Sequence, residues 1–440
     1  MKNLQKEDPQ IYKVIKNEEV RTSSTLELIP SNNYPSPAVL EALGSILNYK
    51  YSEGYPKKRY YQGQKFADEA ESIAIERAKA LFGVPHANVQ PYSGSPANTA
   101  VYFALLEPLK DTIMGLNLAH GGHLTHGSPV SFSGKYFKVV SYGLDEHGLI
   151  DYKKAEQLAV KTKPKIIVCG ATAYPRIIDF EKFGKIADEV GAYLLADISH
   201  IAGLVAAGVH PSPVKHAHII MTTTHKTLRG PRGAMLMVTD KGLKKDPELA
   251  EKIDKAVFPG LQGGPNDNQT AAIAVALKEA SRPEFLKYAE QIVLNARTLA
   301  QVLINNGFQL ISGGTDNHLL LIDLRNKGVN GAIAAYALEI AGIIVNKNAV
   351  PDDSMPPFYP SGIRLGTPAL TTRRMKEKEM EKVGDWIRKV IEQLSSTRLP
   401  GNREERSKYF SNLKKELSEN SELMKIAEEV KKFTSKFPLP

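Results

Sequence analysis

The sequence predicts an α/β fold, with a large domain on a mostly parallel sheet and a smaller C-terminal α+β domain. Three observations predict it. Between about residues 85 and 240, short apolar runs alternate with helix-period segments, which argues for strands joined by crossover helices. Most of those runs are continuously apolar, as in strands covered on both faces. The chain's 440 residues exceed one ordinary domain, so a second core is expected.

The elements follow in order. Residues 1 to 30 read as a helical arm that enters a Pro-rich turn at Ile29-Pro30-Ser31. Residues 31–280 form the large domain. Its strands are expected at Asp111 to Leu116, Tyr136 to Tyr142, Lys165 to Gly170, Ala192 to Ser199, Ala217 to Thr223 and Gly233 to Thr239. Helical spacing covers Pro96 to Leu106, Asp151 to Lys161 and Phe180 to Val190. After Asn268 two long helical patterns follow without a strand, Gln269 to Ala280 and Glu284 to Asn306, the second stopped by Asn305-Asn306-Gly307. Residues 281–440 form the small domain. Strands are expected at Phe308 to Ser312, His318 to Leu324 and Ile343 to Asn346, and helices at Ala332 to Ala341 and Lys376 to Leu394. Pro400-Gly401-Asn402 breaks the chain before a charged amphipathic tail over 404–435.

Formal net charge is +9, from 57 Lys and Arg against 48 Asp and Glu. The cations are dispersed among acids, and the densest run is only Lys57-Lys58-Arg59. A solvated surface fits this better than a nucleic-acid footprint, while single cations remain usable by a small anionic ligand. The one cysteine, Cys169, rules out an intramolecular disulfide, fits a reducing compartment, and reads as packing at the end of an apolar run. The N-terminus lacks the apolar core of a signal peptide, and the stretch Ala202 to Gly208 is too short to span a bilayer. A cytoplasmic protein is expected.

Ligands of open α/β sheets bind outside the carboxyl ends of the strands. Four segments there carry unusual chemistry. In Thr222-Thr223-Thr224-His225-Lys226-Thr227-Leu228-Arg229-Gly230-Pro231-Arg232-Gly233, a lysine follows an apolar strand inside a constrained turn. Desolvation there makes its amine a candidate Schiff-base nucleophile, against the plainer reading of a solvated loop lysine. In Leu194-Leu195-Ala196-Asp197-Ile198-Ser199-His200, an aspartate ends a buried strand. It either caps the next turn or meets a cation such as a protonated pyridine nitrogen. In Tyr92-Ser93-Gly94-Ser95-Pro96-Ala97-Asn98, small hydroxylated residues precede a helix. That makes a phosphate cup or an ordinary helix start. In Ser361-Gly362-Ile363-Arg364-Leu365-Gly366-Thr367, an arginine interrupts an apolar strand. It needs a carboxylate, either a substrate's or the protein's own.

Two other segments are less defined. His120-Gly121-Gly122-His123-Leu124-Thr125-His126 spaces three histidines by three, but Gly-Gly breaks a helix and no Cys or Glu follows usefully. No metal is expected, and an imidazole stacked on a cofactor ring is the better functional reading. Tyr51-Ser52-Glu53-Gly54-Tyr55-Pro56-Lys57-Lys58-Arg59-Tyr60-Tyr61 could simply pack. Alternatively Glu53, flanked by aromatics, handles a proton.

These motifs together resemble serine hydroxymethyltransferase, a fold-type I pyridoxal-phosphate family. The pairing of Thr-Thr-Thr-His-Lys-Thr-Leu with Tyr-Ser-Glu-Gly-Tyr-Pro is specific, and matching segments run in order from Glu27 to Ala369. The resemblance implies transfer of a hydroxymethyl group from serine to a reduced pterin, tetrahydrofolate or a modified tetrahydropterin, leaving glycine. It implies a homodimer, or a tetramer built as a dimer of dimers, with shared sites. By position, Lys226 matches the Schiff-base lysine, Asp197 the pyridine-nitrogen partner and His123 the stacked imidazole. Ser93, Gly94 and Ser95 match phosphate contacts, as do a neighbouring copy's Tyr51 and Gly264. His200, Thr223 and His225 match residues near the cofactor. Ser31, Arg364, His200 and the neighbour's Tyr61 match groups around the substrate. Glu53 of the neighbour matches the proton-handling carboxylate. Leu118, Gly122, His123, Leu124, Pro357 and Phe358 match the pterin region.

Several positions depart from the family's usual residues: Asn32 after Ser31, Gln62 after Tyr61, Pro96 after Ser95, Met355-Pro356 in the pterin loop, and Arg229 after Leu228. The loop changes leave the one-carbon carrier open. The nearest rival is a pterin-independent aldolase of β-hydroxy amino acids, against which the Glu53 loop argues. A rival of another class is a nucleic-acid binder, which the dispersed charge disfavours.

Overall fold

The computed structural model describes residues 1–394, 400 and 402–440. Gly401 of the expected chain break lies outside the described residues. The chain forms two compact units, one of residues 33–293 with 315–318, the other of residues 1–32, 294–314 and 319–440.

The first unit is built on seven strands. They are β1 (His86–Asn88), β2 (Thr112–Leu116), β3 (Lys138–Tyr142), β4 (Ile166–Cys169), β5 (Tyr193–Asp197), β6 (Ile219–Thr223) and β7 (Ala234–Val238). The order across the sheet is β1-β7-β6-β5-β4-β2-β3. Only β7 runs against the rest, antiparallel to both β6 and β1. Successive residues of the buried strands face opposite cores. Ile167, Cys169, Leu194, Ala196 and Ile220 pack on one side. Ile166, Val168, Leu195, Ile219 and Met221 pack on the other. That double cover is why the runs are continuously apolar. Because β2, β5 and β6 are parallel, Leu116, Asp197 and Thr223 end at one edge of the sheet.

Among the elements of this unit that sequence reading missed, two frame the sheet. Strand β1 is three residues long, too short for a period to show. The helix Lys65–Phe82 buries Ala67, Glu71, Ala74, Ala78 and Phe82, a face of mostly small residues with little apolar contrast. Ala74 and Ala78 share a core with Ile273 and Leu277 of the helix Asp267–Ala280. The helix expected from Pro96 begins earlier, at Gly94, so Gly94 and Ser95 form its first turn.

In the second unit, strands β8 (Gln309–Leu310), β9 (Leu319–Asp323), β10 (Asn346–Asn348) and β11 (Gly362–Gly366) make an antiparallel sheet of order β8-β9-β11-β10. The run expected as one strand from Ile343 to Asn346 serves two partners. Ile343 and Ile344 pair with Leu26 and Glu27 of the N-terminal segment, while Asn346 pairs with Arg364. The N-terminal 32 residues thus group with the C-terminal part of the chain. Along the chain the two units meet between 293 and 294, inside the continuous helix Pro283–Asn305.

The charged tail folds as helices Arg403–Ser418 and Ser421–Thr434. Its Leu413, Leu417, Leu423, Ile426 and Val430 enter the same core as Leu26, Leu28 and Trp386. Arg373, 1% exposed, fixes this end of the unit. It donates to the carbonyls of Thr22, Ser23 and Thr25 at the end of the helix Pro9–Ser24, and to those of Thr434 and Phe437 at the end of the last helix. A guanidinium at two helix C-termini answers both dipoles. No helix among the described residues is long and apolar enough to cross a membrane.

Candidate active site

Asp197 ends β5 and is buried. Its Oδ2 accepts from His126 Nε2 at 2.9 Å and from Asn98 Nδ2 at 3.1 Å, and its Oδ1 accepts the Ser199 N–H at 3.1 Å. Burial alone would push its pKa up. The hydrogen bond and charge of His126, then His123 and Ser199, hold it below the usual carboxylate range. The tautomer of His126 follows from its other nitrogen, since Nδ1 accepts the backbone N–H of His123 at 3.3 Å. Nε2 therefore carries the proton given to Asp197.

His123 lies beside this pair, with its ring 5.6 Å from that of His126. Its Nδ1 accepts the Thr125 N–H at 3.2 Å and meets Thr125 Oγ1 at 2.7 Å. Thr125 Oγ1 also accepts from Asn98 at 2.8 Å. Burial, helped by the charges of His126 and Lys226, pushes His123 down to about 4. The imidazole is neutral at physiological pH.

Lys226 lies in the turn after β6, and its Nζ donates to Thr223 Oγ1 at 2.7 Å. Thr223 also marks the start of the helix Gly94–Leu105, because a Cβ on Gly94 would lie 2.8 Å from Thr223 Cγ2. Ser93, the residue before that helix, makes no side-chain capping bond, so its hydroxyl and the first-turn N–H groups remain for an anion. Ser95 is exposed there. Ser199 Oγ ties the two strand ends by accepting the Thr223 N–H at 3.0 Å.

His200 is buried, with Nδ1 3.2 Å from His318 Nε2 and the two rings stacked. Its carbonyl accepts from Thr227 Oγ1 at 2.9 Å. His225 is pushed down to about 3 by burial and by Lys226 and Arg232, so it is neutral beside the lysine. In the turn after β2, Gly122 lies against the Leu116 carbonyl with no room for a Cβ. Leu118 and Leu124 flank it, both exposed.

Tyr51, Glu53 and Tyr61 form a separate surface group. The Tyr61 hydroxyl donates to Glu53 Oε2 at 3.2 Å, and the Tyr51 and Tyr61 rings meet edge-on at 5.7 Å. A Cβ on Gly264 would lie 3.6 Å from the Tyr51 ring, and the Gly264 carbonyl accepts from Tyr92 at 2.7 Å. The loop is held from beneath by Arg59, which pairs with buried Glu71 and with Asp68, and donates to the carbonyls of Ser52 and Gly54. Tyr51 is 61% and Tyr61 47% exposed.

Arg364, Ser31, Pro357 and Phe358 belong to the second unit. Arg364 Nε donates to Asn346 Oδ1 at 3.1 Å across β10 and β11. Burial pushes its guanidinium down to about 10, still protonated at neutral pH. Ser31 follows Pro30, which packs against Gly366 of β11. Pro357 and Phe358 are exposed, and Lys347 Nζ donates to the Phe358 carbonyl at 2.6 Å.

The model of the serine hydroxymethyltransferase family matches residues 4–387. The chain belongs to the serine hydroxymethyltransferase family. It is 55% identical over 440 residues to a serine hydroxymethyltransferase of Desulfotalea psychrophila, covering 100% of this chain and 96% of that one. It is 60% identical over 384 residues to one of Acidothermus cellulolyticus, covering 87% and 88% of the two chains. Serine hydroxymethyltransferases are fold-type I pyridoxal-phosphate enzymes, and the mostly parallel seven-stranded sheet is of that class. His126, Asn98, His318, Asn346 and Arg59 were not singled out as site residues in the sequence. His126 was visible only as the third of three spaced histidines. Asn98 and His318 give no local signal, because each acts through a residue far away in the chain.

Proposed function

We propose that this protein interconverts serine and glycine, moving the serine hydroxymethyl group to tetrahydrofolate or a related reduced pterin, with pyridoxal phosphate held at Lys226. The observation that carries this reading is the buried, ionised Asp197, held by His126 and Asn98 at the same sheet edge as Lys226. A fully buried carboxylate kept charged suits a cationic ring nitrogen.

The residues present fit the cofactor. Lys226 supplies the amine for its aldehyde. The helix starting at Gly94, with Ser93 and Ser95, supplies donors for its phosphate, and Gly94 keeps the approach open. Neutral His123 offers an uncharged face to stack on the ring, with His200, Thr223 and His225 around it.

Bound pyridoxal phosphate supplies an electron sink for the pair released when the serine Cα–Cβ bond breaks. The chain's own groups do the rest. Arg364, helped by Ser31, holds the substrate carboxylate and so fixes which Cα bond can break. Glu53 accepts the proton of the serine hydroxyl, oriented by Tyr61. Asp197 stays negative and would hold a proton on the cofactor's ring nitrogen. Leu118, Gly122, Leu124, Pro357 and Phe358 serve the pterin.

The exposure of Tyr51 and Tyr61 supports a homodimer in which Tyr51, Glu53, Tyr61 and Gly264 complete the site of a second copy. The basic, dispersed surface and single buried cysteine are compatible with a cytoplasmic location.

The test is direct. Purified protein supplied with pyridoxal phosphate should absorb in the visible, and borohydride should fix the label on Lys226. The variant Lys226→Ala should fold and take no label. A label elsewhere, or none in the parent protein, refutes the reading.

A further inference from the structure

We infer that Arg229 is a positioning residue that, together with Asn33, locks the backbone of Lys226 so that only the lysine side chain moves during turnover. This rests on the reading of Lys226 as the cofactor lysine. Two donors converge on one carbonyl. The Lys226 carbonyl accepts from Asn33 Nδ2 at 2.9 Å and from the Arg229 N–H at 3.1 Å. Arg229 itself adopts φ of +60°, a left-handed conformation that costs a residue with a Cβ, and the turn so formed brings the next N–H, that of Gly230, to the Thr224 carbonyl at 2.7 Å. A glycine would take it without strain, so the arginine side chain must compensate.

It does so through a linked set of contacts. The guanidinium lies 5.0 Å from the centroid of the Tyr288 ring and 3.6 Å from Glu279. Tyr288 in turn accepts from the same Asn33 amide at 2.9 Å, and Glu279 accepts from Ser36 at 2.5 Å. Asn33 therefore spends one N–H on the lysine carbonyl and the other on the tyrosine that Arg229 covers. The guanidinium holds the tyrosine, the tyrosine holds the amide, and the amide holds Lys226. The buried Nε of Arg229 makes no hydrogen bond, so stacking and charge rather than a hydrogen-bonded fork hold the side chain.

A merely structural Arg229 would change only thermal stability when replaced. A positioning Arg229 also changes how Lys226 presents its amine. The experiment uses the cofactor-loaded protein and compares Arg229→Ala, Arg229→Gly, Arg229→Lys and Asn33→Ala. Two readouts are taken: the rate at which visible absorbance is lost on dilution into a cofactor trap, and the pH midpoint of that absorbance. Arg229→Ala keeps the strain and loses the contacts, so it should release cofactor about three- to ten-fold faster and shift the midpoint. Arg229→Gly should release cofactor at an intermediate rate. Arg229→Lys should restore part of the effect, and Asn33→Ala should match or exceed Arg229→Ala. The serine KM should stay near the parent value.

If folded Arg229→Ala and Asn33→Ala both keep the parent release rate and midpoint, the inference is overturned while the assignment of Lys226 stands. If Arg229→Ala does not fold, unchanged behaviour of folded Arg229→Lys and Asn33→Ala overturns it equally. A parent protein with no label on Lys226 instead refutes the underlying reading.

Discussion

His126 donates its Nε2 proton to Asp197 Oδ2 at 2.9 Å, while its Nδ1 accepts the backbone N–H of His123. The pair couples the histidine set beside the site to the carboxylate at its floor. Asp197 is ionised not because it is solvated but because three donors converge on a buried group, and hydrogen bonds to a charged form favour it.

Replacing Asp197 with Asn should keep the fold and lower kcat by about 10²-fold or more, the scale of losing one preorganised electrostatic contact at developing charge. His126→Asn should give a smaller loss, because Asn98 and the Ser199 N–H remain. Steady-state kinetics with serine and tetrahydrofolate measure both. An Asp197→Asn enzyme with parent kcat would remove the carboxylate from the chemistry.

Arg364→Ala should raise the serine KM about 10- to 10³-fold, the range expected when one member of a desolvated charge pair is lost. Arg364→Lys should recover only part of this, since an ammonium cannot match a planar fork. The cofactor's visible band should survive in both. A KM unmoved by Arg364→Ala would remove Arg364 from the carboxylate site.

Acid stability follows from buried neutral histidines. His218 accepts the Leu194 N–H at Nδ1, and burial with the charges of Lys241 and Lys245 pushes it down to about 4. Its folded pKa lies below its unfolded one, so the unfolded chain binds the extra proton between about pH 6.5 and 4. Stability from this group is present above pH 6.5 and falls with pH across that window, at up to about 1.4 kcal/mol per pH unit. His123 and His225, also depressed, act in the same direction. Thermal unfolding of His218→Gln between pH 7 and 4 should show a shallower decline, by about one proton. A slope equal to the parent's would place that proton elsewhere.

The sheet was legible because its strands are covered on both faces and so read as unbroken apolar runs. Asp197, Lys226 and Arg364 stand out locally as candidates as well, since each sets a charge into or just after an apolar strand, where local sequence already signals a cost. His86–Asn88 and the helix Lys65–Phe82 were not, the one being too short and the other too rich in alanine on its buried face.

What the sequence alone determined is the inventory: an α/β chain with an amine, a carboxylate and a small-residue helix start, each at a strand end, in the order its family uses. The tertiary structure decided the partnerships. That His126 rather than His120 reaches Asp197, that Asn33 reaches across 193 residues to the Lys226 carbonyl, and that the N-terminal segment pairs with Ile343 and Ile344 are facts of folding. A hydrogen bond depends on the distance between two atoms, and separation along the chain does not fix that distance until the core has packed.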